Sequence, residues 1–215
     1  MNRLVTLFHA PNSRSAGVRI LLEELQAEHE LHVLDLTRQQ QREPAYLDVN
    51  PMGKVPALLH DGVLITEQAA IYLYLAELHP ERGLVPPVGD PLRGALLRWL
   101  VFYGSCFEPA MTDRALKRED CAPSWSPYGS FDSVVQLVQQ QLADGRPWWL
   151  GERLTVADFL WGHALADMLA FHMMPASPAV EAYAARLRSR PAAQRALALD
   201  AELAAAQAQV RGEGP

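Results

Sequence analysis

The sequence predicts an α/β domain at the start of the chain and an all-helical domain after it. Two observations predict this fold class. Through about residue 79, short apolar runs of strand length alternate with helical patterns of apolar residues. After a stretch rich in Pro and Gly, the apolar residues recur only at helical spacing. We therefore expect one domain over residues 1–79, a linker over 80–89 and a helical domain over 90–215.

The chain opens with a predicted β-α-β unit. Residues 4–9 (LVTLFH) form a continuous apolar run that is short enough for a buried strand, and residues 31–36 (LHVLDL) form a second candidate strand. Between them, apolar residues recur at i, i+3, i+4 and i+7 from Val18 to Leu25, which is one face of a helix. This order favours a parallel pair of strands with a right-handed crossover.

A β-β-α unit follows further along the chain. Residues 55–60 (VPALLH) and 63–65 (VLI) flank the dipeptide Asp61-Gly62. Asp-Gly between two apolar runs is a strong hairpin signal, because a type I′ turn needs positive φ at both central residues. Residues 67–78 (EQAAIYLYLAEL) then carry a helical pattern. Together the two units have the plan of a thioredoxin-like domain.

The Val55-Pro56 bond opens the first strand of this hairpin. Base rates alone favour a trans bond, since cis occurs at about 5% of X-Pro bonds in folded proteins. In the thioredoxin-like plan, however, a cis proline here turns the N–H and C=O of the preceding residue toward the site, where they can pair with an extended peptide. We therefore expect Pro56 to be cis and the backbone of Val55 to contact a peptide-like ligand.

Thr66-Glu67-Gln68 begins the helix after the hairpin. A charged first turn is a sufficient explanation of Glu67, because the helix dipole stabilises a carboxylate there. A ligand-binding interpretation is also open. The helix N–H groups and the Gln68 amide would hold a ligand carboxylate, and the Glu67 carboxylate would hold a ligand ammonium. An α-amino acid presents both of these charges on one carbon.

Residues 11–15 (PNSRS) lie between the first strand and the first helix. Asn12 and Ser13 are ordinary helix N-cap residues. The same position would also stabilise a thiolate, because the helix dipole and a hydroxyl or amide donor lower the pKa of a thiol. This segment contains no Cys, so the thiol would belong to the ligand.

Composition and charge disfavour several other classes of protein. Lys plus Arg number 19 and Asp plus Glu number 25, which gives a formal charge of −6, and like charges do not form long runs. A nucleic-acid groove and a membrane-binding patch are therefore not expected. Cys106 and Cys121 lack metal-ligand spacing, so neither a metal site nor a disulfide framework is expected. With no signal-peptide pattern and no apolar run of about 18 residues, we expect a soluble, cytoplasmic protein.

Two motifs together resemble a known family. The first combines residues 50–58 (NPMGKVPAL), Asp61-Gly62 and residues 64–76 (LITEQAAIYLYLA), close to the pattern NPxGxVPxL…DG…LTESxAI…YL. The second is residues 151–158 (GERLTVAD), in which Thr155 and Asp158 also have the spacing of a helix capping box. In this order, the motifs are similar to those of the cytosolic glutathione S-transferases, and the resemblance covers nearly the whole chain.

The resemblance implies an enzyme that binds glutathione as co-substrate in its thioredoxin-like domain, without a metal. It also implies a second-substrate pocket formed mostly by the helical domain, an apolar electrophile, and a homodimer. Carried over by residue, it places Val55, before a cis Pro56, against the cysteinyl part of glutathione and Glu67 against the γ-glutamyl ammonium. Lys54 lies where a polar residue often reaches the peptide. Gln68 replaces the usual Ser near the carboxylate but retains an N–H donor.

The catalytic position departs from the family pattern. The Ser that activates the thiol in several classes aligns with Asn12, next to Ser13, and neither Tyr nor Cys lies there. The Tyr-dependent classes are therefore excluded, Cys-dependent chemistry is disfavoured, and the SSCxxR pattern of the zeta class is missing. The class stays unassigned. Ser13 and Asn12 are both candidates to stabilise the thiolate, with Ser13 slightly favoured.

Two alternatives to the transferase remain open. Some family members without an active-site Cys reduce disulfide bonds with two glutathiones, and others have retained the fold as non-catalytic binding proteins. For the second substrate, the aromatic stretch that contains Tyr103 and Phe107 is either helix core or, for some residues, the lining of an apolar cleft. We predict substrate contacts for these two, while the sequence does not identify the electrophile.

Overall fold

A computed structural model of the chain describes residues 2–118, 122 and 124–212. The chain divides into two compact units. The sheet unit comprises Met1–His79 and Arg190–Pro215, and the helical unit comprises Pro80–Ser189. Cys121 and the last three residues of the predicted helical domain lie outside the described residues.

The sheet unit is built on four strands: β1 (Val5–His9), β2 (His29–Val33), β3 (Ala57–His60) and β4 (Val63–Ile65). Their order in the sheet is β2-β1-β3-β4. β1 pairs in parallel with β2 and antiparallel with β3, and β4 pairs antiparallel with β3. This mixed sheet confirms the predicted thioredoxin-like arrangement.

The described residues also form nine α-helices: α1 (Ser15–Leu25), α2 (Pro44–Leu47), α3 (Gln68–Leu78), α4 (Pro91–Phe102), α5 (Glu108–Ala115), α6 (Phe131–Leu142), α7 (Val156–Ala170), α8 (Pro178–Arg188) and α9 (Pro191–Arg211). A π-helical turn, Tyr103–Phe107, connects α4 to α5, and the sequence pattern did not predict it. After β4 and α3 no further strand occurs in the described residues, which confirms the all-helical C-terminal region.

Local chemistry explains where two of the strands end. Asp61 and Gly62 have φ of 48° and 78°, the two positive values that the predicted type I′ turn requires. β2 ends at Val33, short of the predicted end at residue 36, because Asp35 turns the chain. Its carboxylate accepts hydrogen bonds from the N–H and the hydroxyl of Thr37, at 2.9 and 2.6 Å.

The core of the helical unit is aromatic. Trp149 and Trp161 stack with their ring centroids 4.3 Å apart, and Trp99 contacts both rings edge-on. At the start of α7, the fully buried Asp158 carboxylate accepts a hydrogen bond from the Thr155 N–H at 2.7 Å. This contact closes the predicted capping box and fixes the N-terminus of α7 within the core.

The helix α9 packs on the sheet unit, whereas the sequence placed all of residues 90–215 in one helical domain. Small side chains allow α9 to lie close to α1, and three of them are buried: Ala192, Ala193 and Ala196. Ion pairs add to this packing: Arg190–Glu24, Arg195–Glu23 and Arg211–Asp35. The predicted division therefore differs from the compact units at the C-terminus, although its boundary after residue 79 coincides with theirs.

The predicted linker begins the helical unit. It contains a short 3₁₀ helix, Pro80–Arg82, and the carbonyl of Leu84 accepts a hydrogen bond from the Val156 N–H at 2.9 Å. Whether residues 80–89 act as a linker stays a prediction. None of the described helices is both long enough and apolar enough to cross a membrane.

Candidate functional site

Three chain segments meet at one end of the sheet. In the β1–β3 register, Phe8 pairs with Ala57. If this antiparallel pairing is continued by two residues on each strand, Val55 lies beside the loop that follows β1. In the β3–β4 register, Leu58 faces Ile65, the last residue of β4, so the chain leaves β4 at the same end. The loop after β1, the segment before β3 and the start of α3 are therefore neighbours.

The segment before β3 is held by a turn built on the buried Asn50. The Asn50 amide donates to the Lys54 carbonyl at 2.9 Å, and the Tyr46 hydroxyl donates to the same carbonyl at 2.5 Å. Gly53 has φ of +57°, and a Cβ there would lie 2.7 Å from a backbone oxygen, so only glycine fits. The NPMGKVP motif thus fixes the position of Val55.

The Val55–Pro56 peptide bond is cis, as predicted. Pro56 is buried, Val55 is half-buried and the Lys54 side chain is exposed. The ladder of β3 starts at Ala57, so the backbone of Val55 lies outside it. An extended peptide is the kind of ligand that pairs with a backbone in this position.

The helix α3 begins at this end with a residue in an unfavourable conformation. Glu67 is the N-cap, with φ of 63° and ψ of 118°, and its side chain is exposed. The Ile71 N–H makes the first intrahelical bond, to the Glu67 carbonyl at 3.0 Å, so the N–H groups before it have no partner within the helix. The Gln68 amide donates to the Arg14 carbonyl at 3.1 Å, which connects the starts of α3 and α1.

The loop after β1 carries the two predicted catalytic candidates at the N-terminus of α1. Ser13 is half-buried, and its hydroxyl lies 2.8 Å from the Ala10 carbonyl oxygen and 2.7 Å from Ser15 Oγ. Asn12 is exposed, has φ of 56°, and donates its backbone N–H to the Asp200 carboxylate at 3.1 Å.

A buried polar cluster lies behind Ser13, and the sequence analysis missed it. Ser15 Oγ lies 2.8 Å from His9 Nδ1, and His9 Nε2 lies 2.8 Å from Asp200 Oδ1. His9 and Ser15 are fully buried, and Asp200 is 6% exposed. Arg19 contacts the same carboxylate oxygen at 3.4 Å. The available signals were a histidine that ends an apolar strand and an acid on the Ala-rich face of α9.

This cluster keeps Asp200 ionised. Burial by itself would raise the pKa of Asp200, but the contact with His9, and the positive charge of His9 whenever it is protonated, oppose it. The Asn12 N–H and the charge of Arg19 act in the same direction, and the pKa of Asp200 falls below its ordinary value. The result is a chain of polar groups with a carboxylate at its inner end and the Ser13 hydroxyl at its outer end.

The structure does not support the substrate contacts predicted for Tyr103 and Phe107. Both are in the core of the helical unit, with 3% and 0% of their surface exposed. Their ring centroids lie 5.4 and 4.9 Å from that of Trp161, and the Tyr103 hydroxyl donates to Glu108 at 2.8 Å. This burial favours the helix-core interpretation of both residues, and their contact with a substrate stays a prediction.

No metal-binding cluster occurs in the part of the chain that the structure describes: nowhere in it do three or more His, Cys, Asp and Glu side chains gather around a common point. Cys106 is a free, half-exposed thiol in the helical unit. The other cysteine, Cys121, is outside the described residues.

Comparison with known proteins agrees with this arrangement. The family model described as glutathione S-transferase, N-terminal domain, matches residues 4–77. Glutathione S-transferase GstA from Escherichia coli O157:H7 is 31% identical over 204 residues, which cover 90% of this chain and 98% of that protein. The disulfide-bond oxidoreductase YfcG from Escherichia coli K12 is 29% identical over 213 residues, which cover 90% of this chain and 94% of that protein.

Solved structures are similar over nearly the whole chain. A glutathione transferase from Methylococcus capsulatus superposes with a TM-score of 0.76 at 32% identity, covering 92% of this chain and 99% of the other. A sphingomonad glutathione S-transferase complexed with glutathione gives a TM-score of 0.68 at 33% identity, covering 91% and 98%.

Proposed function

The chain belongs to the glutathione S-transferase family and is a glutathione transferase; on this premise we propose how its own residues bind glutathione and ionise the thiol. One observation carries the proposal. The cis Val55–Pro56 bond and the N-termini of α1 and α3 meet at one end of the sheet. Glutathione matches this set, because it combines an extended backbone, an amino-acid head with both charges, and a thiol between them.

The start of α3 binds the γ-glutamyl head. The exposed Glu67 carboxylate pairs with the ammonium group, and the N–H groups of the first turn hold the carboxylate. The Gln68 amide supports that carboxylate. Its nitrogen carries two hydrogens, so the bond to the Arg14 carbonyl is compatible with a contact to the ligand.

The segment before β3 binds the rest of the peptide. The backbone of Val55 pairs with the cysteinyl residue as a neighbouring strand would, and the exposed Lys54 side chain contacts the peptide. Because Val55 lies beside the loop that follows β1, the cysteinyl sulfur comes to rest near Ser13.

Ser13 stabilises the thiolate at the start of α1. Its hydroxyl donates to the sulfur, and the helix dipole adds positive potential at the same place. Both effects lower the pKa of the bound thiol below the free value of about 8.5. The Asn12 amide is the alternative donor, and it is the more exposed of the two. The thiolate then attacks the electrophilic carbon of a small apolar second substrate.

Calorimetry with glutathione tests the binding step. We expect Glu67→Gln to weaken binding about tenfold, because a charge-assisted hydrogen bond becomes a neutral one. Glu77→Gln changes an acid at the other end of α3 and serves as the matched control, with unchanged affinity. If the wild type fails to bind glutathione at millimolar concentration, the proposed site is wrong.

The pH–rate profile tests the thiolate donor. Ser13→Ala should raise the apparent pKa of the thiol while glutathione affinity changes little. The N-cap of α1 is Arg14, so the expected loss of stability, about 1 kcal/mol, comes from the bond of the Ser13 hydroxyl to the Ala10 carbonyl. If only Asn12→Ala moves the profile, the amide is the donor. If neither variant does, the helix dipole and backbone N–H groups stabilise the thiolate.

A two-fold homodimer is also part of the proposal. In α3, Ile71 and Leu75 are fully buried within the protomer, whereas Leu73 and Tyr74 are only half-buried and are candidates for an interface. The symmetric dimer is the commonest oligomer. Light scattering that gives a monomer mass at micromolar concentration would contradict it. The cytoplasmic location and a role in detoxification stay predictions.

Disulfide-bond reduction is the second candidate. It is favoured by the likeness to YfcG and by the absence of Cys from residues 11–15. Two glutathione thiols would be oxidised to glutathione disulfide while the substrate disulfide is reduced to two thiols. Parallel assays with a small aryl halide and a small dialkyl disulfide, each with glutathione, decide which reaction dominates.

A further inference from the structure

A chain of polar contacts connects Ser13 to the C-terminal helix. Hydrogen bonds join Ser13 Oγ to Ser15 Oγ at 2.7 Å and Ser15 Oγ to His9 Nδ1 at 2.8 Å, and His9 Nε2 lies 2.8 Å from Asp200 Oδ1 in an ion-pair contact. Only its outer member, Ser13, is half-exposed. We propose that this chain takes up the proton of the glutathione thiol, so that His9 becomes charged as the thiolate forms. The inference rests on the proposed position of the thiol beside Ser13.

The partners of each atom fix the direction of the chain before glutathione ionises. In a neutral imidazole only one nitrogen carries hydrogen, and the contact of Nε2 with the Asp200 carboxylate requires it there. His9 Nδ1 must therefore accept from the Ser15 hydroxyl. The Ser15 oxygen in turn accepts from the Ala10 N–H at 3.0 Å and can accept from Ser13. The Ser13 hydroxyl has two acceptors in reach, the Ala10 carbonyl at 2.8 Å and Ser15 Oγ at 2.7 Å, so its hydrogen is directed to one of them. Its oxygen accepts from the Ser15 N–H at 3.2 Å and keeps one lone pair for a thiol.

Arrival of a thiol reverses the bonds between Ser13, Ser15 and His9 Nδ1 and leaves the contact of His9 Nε2 with Asp200 unchanged. The S–H proton passes to Ser13 Oγ, the Ser13 proton passes to Ser15 Oγ, and the Ser15 proton passes to His9 Nδ1. No other bond forms or breaks, and no proton enters or leaves. The thiol and the neutral imidazole become a thiolate and an imidazolium, so the net charge of the site does not change.

The reversed chain is the one that stabilises a thiolate. The two lone pairs of Ser15 Oγ now accept from His9 Nδ1–H and from the Ala10 N–H, so Ser13 can no longer donate to it. The Ser15 hydrogen turns to Ser13 Oγ or to the Ala10 carbonyl at 3.2 Å. The Ser13 hydroxyl then donates to the sulfur, because an ionised acceptor forms a stronger hydrogen bond than the Ala10 carbonyl does.

The surrounding charges support an imidazolium at His9. Asp200 lies against Nε2 and remains ionised, and the charge of Arg19 on the same oxygen acts in the opposite sense from a longer distance of 3.4 Å. In the sheet, His9 pairs with Val33 of β2. Continuing the β1–β3 pairing by one residue brings Pro56 to the other side of His9, and neither neighbour is charged. Two ion pairs join α1 to α9 away from His9: Glu23 with Arg195 and Glu24 with Arg190. Of the other charges of α9, Arg211 pairs with Asp35 and the Glu202 side chain is exposed. His9 and Asp200 are thus positioning residues that act on the thiol through Ser13.

Counting protons during binding tests the chain directly. Titration calorimetry in two buffers of different ionisation enthalpy gives the protons released per glutathione bound, and ultraviolet absorbance gives the fraction present as thiolate. S-Methylglutathione, which has no thiol proton, provides the baseline. In the wild type at neutral pH we expect bound thiolate with far less than one proton released for each thiolate formed. Release of one proton per thiolate would overturn the proposal.

Two variants interrupt the chain at different atoms. Ser15→Ala removes the middle hydroxyl, and His9→Gln keeps a polar side chain that cannot take up the proton. Each should raise the pKa of the bound thiol by about one unit, a tenfold loss of thiolate at neutral pH, and make the remaining thiolate release its proton to solvent. Glu23→Gln, which removes an ion pair between α1 and α9 outside the chain, should change neither readout.

The outcomes separate the two proposals. If glutathione does not bind the wild type, the proposed function is wrong. If glutathione binds and ionises with full proton release, or if both variants retain the wild-type thiol pKa, only the proton chain is wrong. A role of the cluster in folding alone would lower stability without moving the proton count, and the wild-type measurement requires no variant to fold.

Discussion

Each unit of the molecule contains a buried carboxylate, and the two carboxylates are contacted by different kinds of group. Asp200, in the sheet unit, is 6% exposed and contacts the imidazole of His9 and the guanidinium of Arg19. Asp158, in the helical unit, is fully buried, and its partners are neutral donors: the Trp149 N–H at 2.6 Å, the Thr155 N–H at 2.7 Å and the Tyr183 hydroxyl at 2.9 Å.

Although both carboxylates are buried, their pKa values shift in opposite directions. Burial raises the pKa of Asp158 to about 6, even though every hydrogen bond that it accepts acts to lower it. At Asp200 the contacts with the His9 imidazole and the Arg19 guanidinium outweigh burial, and the pKa of Asp200 lies below its ordinary value. Neutral hydrogen-bond donors fix the position of a carboxylate without fully offsetting the effect of burial on its pKa, whereas a positively charged partner favours the ionised form. We expect Asp158 to matter for stability and Asp200 to matter mainly for the chemistry of the bound thiol.

The largest expected effect is on the helical unit. Asp158→Ala leaves four donors without this acceptor, the fourth being the Thr155 hydroxyl, so the free energy of unfolding should fall by about 3–5 kcal/mol. Urea denaturation measures the change. The matched control is Asp144→Ala: that carboxylate is exposed and pairs with Arg146 at 2.6 Å on the surface, and it should contribute almost nothing. Equal effects of the two substitutions would contradict the structural role of Asp158.

Asp200→Ala should change the pKa of bound glutathione and should lower stability less than Asp158→Ala does. His9 can stay neutral when its partner is removed, so we expect a smaller loss of stability, about 2 kcal/mol. The pKa of bound glutathione should rise, whereas Asp158→Asn should leave it unchanged in the protein that folds. Denaturation together with thiolate absorbance on both variants provides the comparison. A large loss of stability with a normal thiol pKa would make Asp200 another structural carboxylate.

The pH dependence of stability should differ in sign between the two groups. The raised pKa of Asp158 means that its contribution is complete below about pH 4 and decreases as the pH rises through about 6, by up to about 3 kcal/mol. The lowered pKa of Asp200 means that its contribution is present above about pH 4 and is lost as the pH falls below that value. The advantage of the wild type over Asp158→Asn should therefore shrink from pH 4 to 7. Its advantage over Asp200→Asn should shrink below pH 4 instead.

The smallest expected effect concerns backbone conformation at the glutathione end of the sheet unit. Glu67→Gly removes the cost of φ 63° and ψ 118°, so stability should rise by about 1 kcal/mol or less while glutathione binding weakens. Gln26→Gly, at the ordinary left-handed cap of α1 with φ 53° and ψ 40°, is the control, and we expect a smaller gain. Thermal unfolding without glutathione measures the change in stability, and the further stabilisation in its presence measures the change in glutathione binding. A loss of stability in Glu67→Gly would show that the Glu67 side chain stabilises the protein by more than its backbone conformation costs.

Local signals predicted most of the fold. The Asp61-Gly62 turn, the strands around it, the cis Pro56 and the Thr155–Asp158 capping box all depend on neighbouring residues, and each is confirmed. The π-helical turn at Tyr103–Phe107 and the packing of α9 on the sheet unit depend on distant contacts, and the sequence pattern did not predict them.

The residues of the candidate site were likewise predictable only where a local motif marks them. Ser13, Asn12, Glu67 and Val55 are marked by motifs, and their roles stay predictions until glutathione binding is measured. His9 and Asp200 are far apart in the chain and belong to no motif, so only the folded structure brings them together. Tyr103 and Phe107 show a further limit, because an aromatic stretch at helical spacing looks the same in a helix core and in a ligand pocket, and only the structure shows that both rings are buried.

The bond from the Asn12 N–H to Asp200 spans 188 residues of sequence. During synthesis the ribosome releases all four strands of the sheet long before α9 exists, so the loop after β1 must wait for nearly the whole chain before it acquires its final shape. A contact of such long range forms late and is absent from any shortened product. Chains that terminate before residue 200 therefore lack the contact that Asp200 makes with the loop after β1, and we expect them to ionise glutathione less well than the full chain does.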